Sequence, residues 1–75
     1  MADRTTLTER KTKLPLPYRE FVIGIYKEKK SLVVRKFEVF EDFRVCLDEQ
    51  HALNIDDAIV IQNIIIHKIH NFSLN

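Results

Sequence analysis

The stretch AIVIQNIIIHKI, residues 58–69, constrains this chain more than any other. Most of its side chains are β-branched aliphatics, and one polar pair, Gln62-Asn63, interrupts them. An element that is apolar on both faces needs cover on two sides, and a chain of 75 residues has little material to supply it. A domain of this size buries only about 60% of the surface its unfolded chain exposes. Disulfides, metal or self-association are the usual aids at that size. The single cysteine, Cys46, cannot bridge within the chain and fits a reducing, intracellular compartment. Self-association is therefore the expected aid.

The Ile-rich stretch reads two ways. As a helix capped by Asn54, it places Ile55, Ile59, Gln62, Ile66 and Ile69 at 4-3-4-3 spacing. As two short strands, Ile59 to Ile61 and Ile64 to Ile69, it bends at Gln62-Asn63, and the Ile-Ile-Ile run suits a pleated sheet because β-branched side chains lose χ1 freedom in a helix. The strand reading gives the expected fold. Residues 1–17 read as a flexible basic tail, where Thr6 and Glu9 have capping-box spacing for a short helix that Pro15 and Pro17 stop. Phe21, Ile23 and Ile25 alternate along a strand, KEKKS makes a hairpin tip, and Leu32 to Val39 returns. Phe43, Val45 and Leu47 alternate after a turn at Glu41-Asp42, and DEQHALNIDD reads as a loop.

Five short strands with close turns predict a mainly β chain, a small SH3-type barrel over residues 18–72, with 73–75 as its C-terminal end. The alternative is an α+β domain with a C-terminal Ile-rich helix.

Composition narrows the function classes. Residues 1–36 carry ten Lys/Arg against four Asp/Glu, net +6, whereas residues 37–75 carry two against seven, net −5. Such asymmetry serves a polyanion at one end or contact between copies. One glycine, Gly24, excludes a phosphate-cradling loop, and neither Ser31 nor Ser73 lies in a nucleophile motif. His67 and His70 have HxxH spacing, but with Cys46 and His51 they match no standard zinc pattern. No enzyme, cofactor or metal is expected. The opening MADRTTLTERKTK lacks the apolar core of a secretory signal, and no run approaches the roughly 18 apolar residues of a membrane span. A cytoplasmic protein with no membrane contact is expected.

The order Ile25-Tyr26, a tip at Lys27 to Lys30, a strand from Leu32 to Val39, Phe40-Glu41-Asp42-Phe43, Val45-Cys46-Leu47, then Ile61-Gln62-Asn63 with Ile66 and Ile69, resembles the two motifs of the Sm-like family and its Hfq branch. The resemblance spans about residues 20–70 and implies a homo-oligomeric ring of six or seven copies that binds single-stranded RNA and regulates after transcription. In such a ring the fourth strand of one subunit pairs with the fifth of the next, so Ile59, Ile61, Ile64, Ile66 and Ile69 would line the interface. It also implies RNA bases at the pore, stacked on Phe43 beside Asp42 and hydrogen-bonded by Gln62 and Asn63. Tyr26 would line the opposite face, with Lys27, Lys29 and Lys30 on phosphates. Gln62 stands where the family carries a basic residue, and with the acidic second half it points to an alternative: an oligomeric protein-interaction or regulatory module without RNA, of the kind a virus or phage encodes as an accessory protein.

Overall fold

A computed structural model describes the backbone of residues 4–73 and the side chains of residues 5–71. Four strands, β1 (Arg4–Pro15), β2 (Tyr18–Glu28), β3 (Ser31–Val39) and β4 (Arg44–Ala52), form one antiparallel sheet in chain order, and one helix, α1 (Ile55–Ser73), follows. The chain is mainly β, as expected, with the sheet open and the helix laid across one side.

The element apolar on both sides is β2 rather than the Ile-rich stretch. Phe21 to Tyr26 are six consecutive buried residues. Phe21, Ile23 and Ile25 face the helix and pack with Leu14, Val34, Ala58, Ile65 and Ile69. Val22 and Tyr26 face the other way and pack with Phe37, flanked by Val39. A strand in the middle of a sheet with cover on both faces reads as a continuous apolar run. The hairpin joining β2 to β3 forms as expected, and its tip places Lys29 at φ 54°, a left-handed conformation that favours glycine.

Three expectations are corrected. The five-stranded barrel is an open four-stranded sheet, because residues 55–73 make one helix instead of two strands and a bend. Its start explains why. Asn54 Oδ1 accepts the Asp57 backbone N–H at 2.9 Å, the Asp57 carboxylate accepts the Leu53 N–H at 3.0 Å, and Asp56 and Asp57 place negative charge in the first turn. The helix penalty of each isoleucine is a few tenths of a kcal/mol, whereas burying one stabilises by about 1.5–3 kcal/mol. The buried stripe is Ala58, Gln62, Ile65 and Ile69, so Ile55 and Ile59 of the anticipated stripe stay exposed.

The supposed basic tail is the longest strand. Thr8, Arg10 and Thr12 pair with Ile25, Ile23 and Phe21, and this alternation puts Leu14 into the core. Pro15 and Pro17 end a strand rather than a helix, and a boundary at residue 17 falls inside the β1–β2 hairpin. The loop expected from Asp48 is strand as far as Ala52. Residues 1–3 and 74–75 of the anticipated terminal segments lie outside the described residues.

Candidate interaction surface

The residues anticipated for RNA do not come together. Tyr26 is fully buried: its ring lies over Gly24, and its hydroxyl donates to Glu9 at 2.7 Å. Lys27, Lys29 and Lys30 are exposed at the β2–β3 tip. Asp42 and Phe43 sit in the β3–β4 turn at the opposite end of β3, a separation of roughly 30 Å at 3.3 Å per strand residue. Phe43 is exposed and stacks on Phe40 with ring centroids 5.0 Å apart. Gln62 is buried in the helix–sheet interface, where its amide donates to the Ile23 carbonyl at 2.7 Å. Asn63 is exposed and accepts a hydrogen bond from Arg10. Two groups remain together, the three lysines and the Asp42-Phe43 pair, each without the other.

The anticipated interface isoleucines divide by their position around α1. Ile69 is core, Ile61 and Ile66 are half-buried, and Ile59 and Ile64 are exposed. Towards β1 the helix is latched by polar contacts, Arg10 to Asn63 and Thr12 Oγ1 to His70 Nε2 at 2.5 Å. Towards β4 there is instead a groove of about 380 Å³. Ile61, Ile64, Ile65 and Ile69, with Lys68, form its helical wall, and Lys36, Asp48 and Gln50 its sheet floor.

The groove opens beside the β4 edge of the sheet. β1 carries Lys11, Lys13 and Pro15, residues that keep a free edge from pairing. Arg44 to Glu49 and on to His51 are all exposed in β4, which has neither lysine nor proline, and Val45 and Leu47 are 40% and 46% accessible. In an antiparallel sheet an edge strand leaves about half its backbone N–H and C=O groups pointing outward. Leu47 has no opposite residue in β3, which makes β4 bulge at that point. The bulge puts Val45 on the same side as Asp48, since they oppose Glu38 and Lys36, and Arg44 on the same side as Glu49, since they oppose Val39 and Arg35.

Perturbed ionisation marks ion pairs rather than reactive groups. The Glu28 carboxylate, hydrogen-bonded at 2.5 Å, is the main reason the Arg35 guanidinium is held above its ordinary value, with Glu49 adding to it at 2.7 Å. Arg19 holds Glu38 below the usual carboxylate range through a hydrogen bond. Among the described residues, no three of His, Cys, Asp and Glu gather as metal ligands, and no helix is long and apolar enough to cross a membrane.

No family model matches the chain, and neither the curated proteins nor the solved structures contain a significant match. The β4 edge escaped the sequence because a free edge is a property of strand order. The contrast between a lysine- and proline-bearing first strand and a fourth strand with neither was nevertheless readable.

Proposed function

We propose that this protein is a non-catalytic interaction module that captures an extended segment along β4, with the segment's apolar side chains reaching the groove beneath α1. The observation that carries this reading is the continuity of an edge strand exposed from Arg44 to His51 with a groove, walled by isoleucines of α1, on one of its faces. Strand addition supplies main-chain hydrogen bonds for affinity and pockets at alternate positions for specificity. The test is selection of binders from a displayed library of random nine-residue peptides. Enriched peptides should alternate apolar residues, and their addition should shift the amide resonances of Arg44–Ala52 and of Ile61 and Ile64. Peptides that bind without moving those resonances, or no enrichment by the monomeric chain, would sink the reading.

A second reading, single-stranded RNA bound by the hairpin tip, is favoured by one observation: Lys27, Lys29 and Lys30 are exposed together, and none forms an ion pair among the described residues. Phosphate contacts of this kind weaken steeply with salt. The Sm-like ring of six or seven copies belongs with this reading and would have to join β4 of one copy to a different edge of the next. Lys29→Glu/Lys30→Glu should abolish retention of an RNA oligomer at low salt. Unchanged retention would discard the hairpin tip as an RNA site.

A further inference from the structure

We infer that the segment captured by β4 is β4 of a second copy, the two strands running antiparallel about a two-fold axis to make one continuous eight-stranded sheet. This rests on the reading of β4 as a strand-binding edge and names its occupant. Three observations select a copy of the same chain.

The first is charge. Arg44 stands at the start of β4 and Glu49 towards its end, and the bulge at Leu47 puts both on the same face. Within one chain Arg44 reaches back to Glu9 and Glu49 to Arg35, and antiparallel self-pairing brings the Arg44 end of each strand against the Glu49 end of the other, twice over by symmetry, joining these ion pairs across the seam. On the opposite face the same pairing brings Val45 near the partner's groove floor at Asp48. Opposite charges facing across strands are favourable, and like charges are not. A parallel arrangement would set Arg44 on Arg44 and Glu49 on Glu49.

The second is the position of the helix. With the axis perpendicular to the sheet, both helices lie on one side, and their β4-facing flanks approach from either side of the seam. That flank carries Ile61, Ile64 and Lys68, with Ile64 47% accessible. Each groove would then be closed by apolar side chains of the other copy, and a two-fold contact needs this self-complementarity.

The third is the opposite edge. Lys11, Lys13 and Pro15 guard β1, and Asn63 and His70 bind Arg10 and Thr12 over its helix side. A sheet with one open and one guarded edge stops at two copies instead of growing into a fibre.

Cys46 is a ready probe, because it is exposed, lies between Arg44 and Glu49 in β4, and is the single cysteine of the chain. Two measurements on the full chain decide the proposal: native mass by light scattering at micromolar concentration, and treatment with a short bismaleimide. Twice the 8.9 kDa chain mass, 17.8 kDa, is expected, together with a covalent dimer that joins Cys46 to Cys46. Val45→Lys/Ile64→Lys, which alters two side chains exposed in the single chain, should return the mass to 8.9 kDa with an unchanged circular dichroism spectrum. A wild-type mass of 8.9 kDa overturns the proposal. So does a dimer that cross-linking leaves untouched, which would pair through another face, and so does an assembly of six or seven copies. Peptide selection separates the two levels of the argument: a monomer whose β4 still binds displayed peptides loses the self-pairing and keeps the strand-binding edge, whereas a monomer that binds none loses both.

Discussion

The two faces of this sheet are closed by different chemistry. On one, α1 covers Phe21, Ile23, Ile25 and Val34 with Ala58, Ile65 and Ile69. On the other there is no second layer of chain among the described residues, yet Tyr26 and Val33 are as inaccessible as the helix side of the core. Charged side chains do the covering there. The Arg35 guanidinium sits 5.7 Å from the Tyr26 ring centroid and is gripped by Glu28 and Glu49, and Arg44 lies 4.3 Å over the Phe37 ring and 3.5 Å from Glu9. Long arginine stems cover apolar surface while their heads remain hydrated. A small chain with material for one helix has thereby buried both sides of its central strand, and what it leaves open is one edge.

If the helix face carries the stability, truncation there should have the largest effect. Ile65→Ala removes a buried side chain from the helix–sheet interface and should cost about 3 kcal/mol, within the range for such deletions. For a domain this small that is a large part of the total, and the urea midpoint at fixed protein concentration reads it directly. A loss under about 1 kcal/mol would mean that the helix is a removable cover.

The charged face is broken next most easily from below. A Cβ at Gly24 would meet the Tyr26 hydroxyl oxygen at 2.2 Å and the adjoining ring carbon at 2.4 Å, so the methyl of Gly24→Ala must push the ring off the strand and away from Glu9. The expected cost is about 2 kcal/mol, typical of overpacking, with a changed near-ultraviolet spectrum from Tyr26. If the variant is as stable as the wild type, the ring is free to leave and the lid is loose. Arg35 then tells stem from charge. Arg35→Ala removes both and should cost about 1–2 kcal/mol, whereas Arg35→Met keeps most of the stem and lets Glu28 and Glu49 turn to water, for a cost of about 0.5 kcal/mol or less. Equal losses in both variants would assign the lid to its ion pairs.

How far the sequence disclosed this arrangement differs between elements for physical reasons. The β2–β3 hairpin was legible because alternation and a charged tip act locally, and the Asn54 cap was legible for the same reason. The choice of helix over strand for residues 55–73 was not settled by propensity, since isoleucine prefers strands and burial against the sheet overrides that preference. β1 hid among charged residues because an edge strand with one polar face has few apolar positions; among the described residues of the strand, only Leu14 reaches the core. Of the candidate site, Ile61 and Ile64 were legible as conspicuous apolar residues and the structure places them in the groove wall, while the role given to Tyr26 failed because an aromatic beside the only glycine folded onto it. Gln62 was singled out correctly as unusual in an apolar stretch, but its partner is a backbone carbonyl.

The smallest effect lies where the comparison between the faces blurs. By alternation Arg19 lies on the helix side of the sheet, and there it sits 5.0 Å over the Phe21 ring and holds Glu38 through two hydrogen bonds of 2.8 and 2.9 Å, so the charged solution recurs beside the helical one. Arg19 keeps the Glu38 carboxyl below its ordinary value, chiefly through those hydrogen bonds. A carboxyl depressed in the folded state binds a proton more readily when unfolded, so its contribution is complete above the unfolded value near pH 4.3 and is lost as pH falls through the lower folded value. Because Arg19 is well exposed, solvent screens the pair and the contribution should be less than about 1 kcal/mol. Chemical denaturation from pH 7 down to pH 3 should show wild type losing slightly more stability than Glu38→Gln, and the difference should shrink in high salt. Parallel pH profiles would show that the pair merely decorates the Phe21 ring, leaving the helix as the only cover on that side that contributes to stability.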